Sequence, residues 1–197
     1  MFFVAANWEA LGRFGKFALV EAAIVLALGT CWRLGLASRA GKAALGAAAL
    51  CTGALLALVG QVYQTGADTW ELFAAWAVAI AVWVAVARMP ALWLLWLGLV
   101  NIALALYFNT FGGLLGLVLG NRETLWALLT FNTAALVVWE AFAAVGVRWL
   151  RARWAVAVLA AAGGVAATWL AIWSVFDGAH AWGSVRRQSS RRWSRWS

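Results

Sequence analysis

Charge is scarce in this chain. Only 11% of its 197 residues are charged, against a hydrophobic share of 66%, too little polar surface to clothe a water-soluble domain of this length. Cysteine is almost missing. Cys31 and Cys51 both fall in apolar runs and neither belongs to a CxxC pair, which excludes a disulfide framework and a thiolate metal site. Histidine is represented by His180 alone. A histidine/cysteine metal centre needs more ligands than that, and neither a metal nor another cofactor is expected. Also missing are GxSxG, HExxH, a P-loop and a pair of carboxylates in one polar cleft, so the chain reads as non-enzymatic. A secretory signal is absent as well: Glu21 interrupts the first apolar run and no cleavage motif follows it.

What the chain has in quantity is long, continuous apolar sequence rich in Leu and Ala. About 20 such residues at 1.5 Å rise cross about 30 Å of hydrocarbon. Backbone groups in lipid must pair internally, and continuous rather than alternating runs favour helices over a barrel. The sequence therefore predicts an all-α, polytopic membrane protein of about six spans, near 17–36, 43–62, 71–87, 90–108, 124–145 and 154–176. An interfacial segment, 1–16, precedes them, and a basic, low-complexity tail, 177–197, follows and reads as disordered. Pro90 suits the first turn of the fourth span. The short link before it makes spans three and four an antiparallel hairpin. Trp32, Trp70, Trp93, Trp126, Trp149, Trp154 and Trp173 fall near span ends, the level that tryptophan prefers. Trp76, Trp83, Trp96, Trp139 and Trp169 lie deeper. Trp76 and Trp83, seven apart, share one face.

The net charge of +8 is not a nucleic-acid signature, and no nucleic acid is expected as a partner. Arg186, Arg187, Arg191, Arg192 and Arg195 crowd the tail, and most other basic residues sit beside apolar runs. One side of the bilayer collects Arg33, Arg39, Lys42, Arg88, Arg148, Arg151 and Arg153. The other holds Arg13, Lys16 and Arg122. By the positive-inside rule the first side is cytoplasmic, and the connection 61–70 faces away from it. The arginine-rich tail conflicts with this count. Between spans four and five, Phe111–Gly120 is apolar but too short to cross. Its Gly112, Gly116 and Gly120 carry the small-xxx-small spacing of close helix packing.

Three stretches carry a resemblance: VAANWEALGRFGKFALV (Val4–Val20), GQVYQTGADTWELFAAWA (Gly60–Ala77) and RMPALWLLWLGLVNIAL (Arg88–Leu104). Together, over roughly the first 110 residues, they resemble the bacterial integral membrane proteins of domain of unknown function 2157. The matching motif residues are Ala6, Asn7 and Trp8, then Gly60, Gln61, Tyr63, Gly66 and Asp68. The resemblance implies a multi-pass protein of the bacterial cytoplasmic membrane and supplies no activity. It also implies a chain incomplete at both ends, because family members usually carry a span before the Ala-Asn-Trp and the tail departs from their pattern.

Polar side chains concentrate in Gln61, Tyr63, Gln64, Asp68, Trp70 and Glu71. Asp68-Thr69-Trp70-Glu71 reads as a capping box, with Asp68 as N-cap and Glu71 reaching back. Trp70 is then an interface anchor and Gly66 supplies the turn. Gln61, Tyr63 and Gln64 either fix the loop against a neighbouring connection through Asn109 or Asn121, or Gln61 and Tyr63 line a shallow polar pocket with Asp68. In the second case Asn7, Trp8, Asn109, Arg122 and Glu123 lie close by. Four polar residues interrupt the spans. Glu21 lies a turn from its helix end, and Glu140 about one and a half turns from the other face. Asn101 and Asn132 read as interhelical hydrogen-bonding glue. The small-residue pattern Gly112/Gly116/Gly120 and the want of a continuous polar path favour a non-enzymatic scaffold or subunit, partnered by the lipid bilayer and by a second copy or another membrane protein. A small-solute transporter or sensor is the alternative, and it needs Glu140, Asn132, Asn101 and Gln61 on one cavity.

Overall fold

The computed structural model describes residues 12–63, 66–110 and 122–193; the side chains of Asn109, Arg122, Glu123, Arg148 and Trp173, and those from 175 onward, lie outside the description. Its elements are α1 (Arg13–Leu34), α2 (Arg39–Tyr63), α3 (Thr69–Ala87), α4 (Pro90–Thr110), α5 (Arg122–Ala144), a 3₁₀ turn (Arg148–Arg151) and α6 (Arg153–Trp193). Six helices are long and apolar enough to cross a bilayer, and no strand occurs among the described residues. The glycine-spaced segment Phe111–Gly120 lies outside the described residues.

Helix ends explain where the expected boundaries moved. Helix α2 begins four residues before the expected Ala43, because Ser38 caps it. Its Oγ accepts the Gly41 N–H at 2.9 Å and donates to the Gly35 carbonyl at 3.0 Å, satisfying a first-turn donor that has no helical partner. Gly35 ends α1 at φ 70°, and a Cβ on Gly41 would strike the Gly35 carbonyl. Between α3 and α4, Arg88 takes the left-handed conformation (φ 46°, ψ 45°). Pro90 opens α4 and the Met89 carbonyl accepts from Leu92 and Trp93 at 3.1 and 3.3 Å. Helix α5 closes on Gly146 (φ 104°). The Val147 N–H reaches the Phe142 carbonyl and the Gly146 N–H reaches the Ala143 carbonyl, both at 3.2 Å. That pair of bonds is a Schellman motif with glycine at its left-handed position.

Helix α1 starts at Arg13 rather than Phe17. Glu21 is therefore eight residues, about 12 Å, inside the helix, not one turn. Helix α6 runs past the apolar span to Trp193. Extending an existing helix costs less than nucleating one.

Each helix packs chiefly on its neighbours in sequence, giving three hairpins in a row: α1 with α2, α3 with α4, α5 with α6. Two cores result. Cys31, Leu45, Ala49, Ala77, Ile80, Val84 and Leu99 fill the first; Leu97, Trp139, Leu150, Ala155 and Leu159 fill the second. Helix α4 serves both, with Leu92 and Leu99 on one side and Leu97 on the other, which is why it is apolar all round. Val25, Leu26, Val78 and Val137 are more than half exposed, as side chains facing lipid should be.

Most helix joints are stitched by a polar side chain. Trp76 Nε1 donates to the Ala49 carbonyl of α2 at 2.8 Å, and Trp96 Nε1 to the Ala77 carbonyl of α3 at 3.0 Å. Trp139 Nε1 donates to the Leu150 carbonyl at 2.9 Å, tying α5 to the turn before α6. An indole N–H away from water must find an acceptor, and a helix carbonyl has a lone pair to spare. Trp76 reaches its acceptor because Gly53 leaves the space: a Cβ there would collide with the indole.

Candidate functional site

The polar stretch that dominates the sequence resolves into separate local roles. Gly66 turns the chain at φ 64°. Asp68 holds the extended N-cap conformation of α3 (φ −64°, ψ 148°), and its carbonyl accepts the Glu71 N–H at 3.0 Å. Its side chain makes no capping bond, which corrects the expected side-chain capping box. Asp68, Thr69 and Glu71 are all exposed, so water competes for the first-turn donors at this end. Tyr63 is exposed and sets its ring against Phe17 of α1, centroids 6.1 Å apart. Gln61 is exposed. Trp70 turns inward and meets Tyr107 of α4 edge to face at 5.1 Å. These two line a 510 Å³ apolar groove between α3 and α4. Asn7, Trp8, Gln64, Thr65 and Asn121 lie outside the described residues, as do the side chains of Asn109, Arg122 and Glu123.

The intramembrane polar residues divide. Asn101 of α4 and Asn132 of α5 come together: Asn132 Nδ2 donates to Asn101 Oδ1 at 2.6 Å, and Asn101 Nδ2 to Asn132 Oδ1 at 3.2 Å. Each Nδ2 also donates to the carbonyl four residues earlier, Leu97 or Leu128, at 2.8 Å. Asn132 is 2% exposed. Every amide hydrogen of the pair is used, so neither asparagine has a donor left over for a solute. Glu140 is exposed on α5 four residues before its end, and Glu21 is exposed on α1. Neither joins the asparagine pair, and Gln61 is on α2, outside the α4–α5 joint.

A second feature follows from the Schellman turn. It folds the chain back so that Trp149, in the 3₁₀ turn, stacks on Trp93 of α4 (6.1 Å, 29°) and meets Trp139 of α5 edge-on (6.1 Å, 77°). Trp93 in turn meets Trp96 at 71°. These four indoles border a 490 Å³ groove with Phe131 and Val138 among its other walls. Sequence reasoning placed Trp93 and Trp149 at span ends and Trp96 and Trp139 deeper. It had no means of seeing that they adjoin; the available signal was Gly146, a glycine just beyond a predicted helix end.

Residues 1–93 match the family model described as predicted membrane protein (DUF2157). The match covers α1 to α3 and the first residues of α4, and it stops short of Asn101, Asn132, Trp139 and Trp149. No curated protein and no solved structure matches the chain.

Proposed function

We propose that this membrane protein is a non-enzymatic subunit or scaffold of the bacterial cytoplasmic membrane that assembles through the outward face of α1. One observation carries the reading: Glu21 is exposed, without a partner among the described residues, on a membrane-length helix. Phe14 (80% exposed) and Trp32 (90%) lie on the same face. They stand 18 residues, about 27 Å, apart, close to the hydrocarbon thickness and at the levels of two aromatic belts. Glu21 is between them. An ionisable group in the middle of a span costs on the order of 2.5–3.5 kcal/mol and ordinarily faces protein.

Ala18, Ala22 and Gly29 are exposed beside Glu21 and would let a second helix approach. A second copy of the chain is the partner that matches this face: a two-fold axis would bring Glu21 against its own copy, where two carboxyl groups can share a proton. The transporter alternative gains no support, since the asparagine amides are mutually occupied and Glu140 and Gln61 are exposed elsewhere.

Cysteine crosslinking in native membranes tests the reading. In a Cys31→Ala, Cys51→Ala background, Ala22→Cys should crosslink into a dimer, and adding Glu21→Leu should abolish most of it while Glu21→Gln retains it. Monomers only, or a dimer indifferent to Glu21→Leu, would refute assembly through this face.

A further inference from the structure

We propose that the tryptophan-lined groove between α4, α5 and the 3₁₀ turn binds one acyl chain of an anionic phospholipid, with the headgroup held at the basic end of the groove. Its 490 Å³ falls within the ~300–1,000 Å³ of small-molecule sites. Val138 and Phe142, both more than half exposed, belong to its wall, so it opens on the lipid-facing surface. Along α5 it extends from Phe131 to Phe142, eleven residues or about 16 Å. That is half of an about 30 Å hydrocarbon core, the depth of one leaflet.

Charge selects the lipid. The shallow end of the groove is the end where α3 meets α4 and α5 meets α6, and Arg88, Arg151 and Arg153 are all exposed there. The acidic side chain near this level among the described residues, Glu140, lies on the opposite side of α5 from the groove residues Phe131, Val138 and Phe142 by helical periodicity. Basic residues where helices leave the membrane favour anionic headgroups, about fivefold in affinity for each one engaged.

Tryptophan fluorescence supplies the readout, and Ala134→Phe isolates the share that comes from the groove. The full chain is reconstituted in phosphatidylcholine vesicles containing a fixed fraction of bromine-labelled phosphatidylglycerol or bromine-labelled phosphatidylcholine, and tryptophan quenching is compared. The labelled phosphatidylglycerol should quench at several-fold lower mole fraction. Ala134→Phe, which narrows the groove from its exposed edge, should remove the difference. Combined Arg88→Gln, Arg151→Gln and Arg153→Gln should equalise the two lipids while leaving quenching by phosphatidylcholine in place. Equal quenching of the wild-type chain by both lipids would overturn the proposal. A phosphatidylglycerol preference that survives Ala134→Phe would reassign it to general attraction by the basic surface and overturn the groove as its seat.

Discussion

Asn101 and Asn132 exchange hydrogen bonds across the α4–α5 joint, each amide also tied to a carbonyl of its own helix. Replacing one member strands the other in an apolar joint, at about 1–2 kcal/mol. Asn132→Leu and Asn101→Leu should each lower unfolding stability in detergent by that amount. The double variant should cost less than the sum, because no orphan amide remains. Strict additivity in a double-mutant cycle would show that the pair is not coupled.

The α2–α3 joint depends on an absence of side chain. Gly53→Leu should expel the Trp76 indole from its bond to Ala49 and destabilise the protein by about 1–3 kcal/mol. Trp76→Phe, which loses the bond but keeps the packing, should cost less. Thermal unfolding followed by near-ultraviolet circular dichroism distinguishes the two, and equal losses would mean that the hydrogen bond, not the packing, holds the joint.

Two polar caps look alike in sequence and should behave differently. Ser38→Ala removes an observed side-chain cap and should cost about 1 kcal/mol. Asp68→Ala removes none and should stay within about 0.5 kcal/mol. A large loss at Asp68 would show that its carboxylate matters in a way the geometry does not contain.

Gly146 holds φ at 104°, a conformation that costs a side chain about 1–2 kcal/mol. Gly146→Ala should therefore destabilise the α5–α6 turn, and it should loosen the Trp93–Trp149 stack. A red shift and greater iodide quenching of tryptophan fluorescence would report this. An unchanged spectrum would mean that the indole cluster forms without the turn.

The side of the membrane on which the 61–71 connection sits rests on the distribution of arginine. In a cysteine-free background, Ala67→Cys should react with an impermeant thiol reagent in intact cells. Ala67 is exposed, so reaction only after lysis would invert the orientation.

Solvent and element type were legible in the residues because both are local, additive properties. Twenty apolar residues need a bilayer and an internally bonded helix wherever they stand, so six spans emerged with ends close to the observed ones. Where ends moved, as at Arg13 and Arg39, helices carried charged residues past the apolar run that had marked them. Composition also marked Glu21, Asn101, Asn132 and Glu140 as costly. Residue type set Asn101 and Asn132 apart as interhelical glue but did not say what each would bond, because hydrophobicity prices a polar group without naming its partner. Only the packing decided that Asn101 and Asn132, 31 positions apart, satisfy each other, that Glu21 looks outward, and that four scattered tryptophans meet around one groove. Those outcomes depend on the rotation of each helix against the next. That rotation is set by contacts such as Trp76 over Gly53 and by the turn at Gly146, and no single span encodes it.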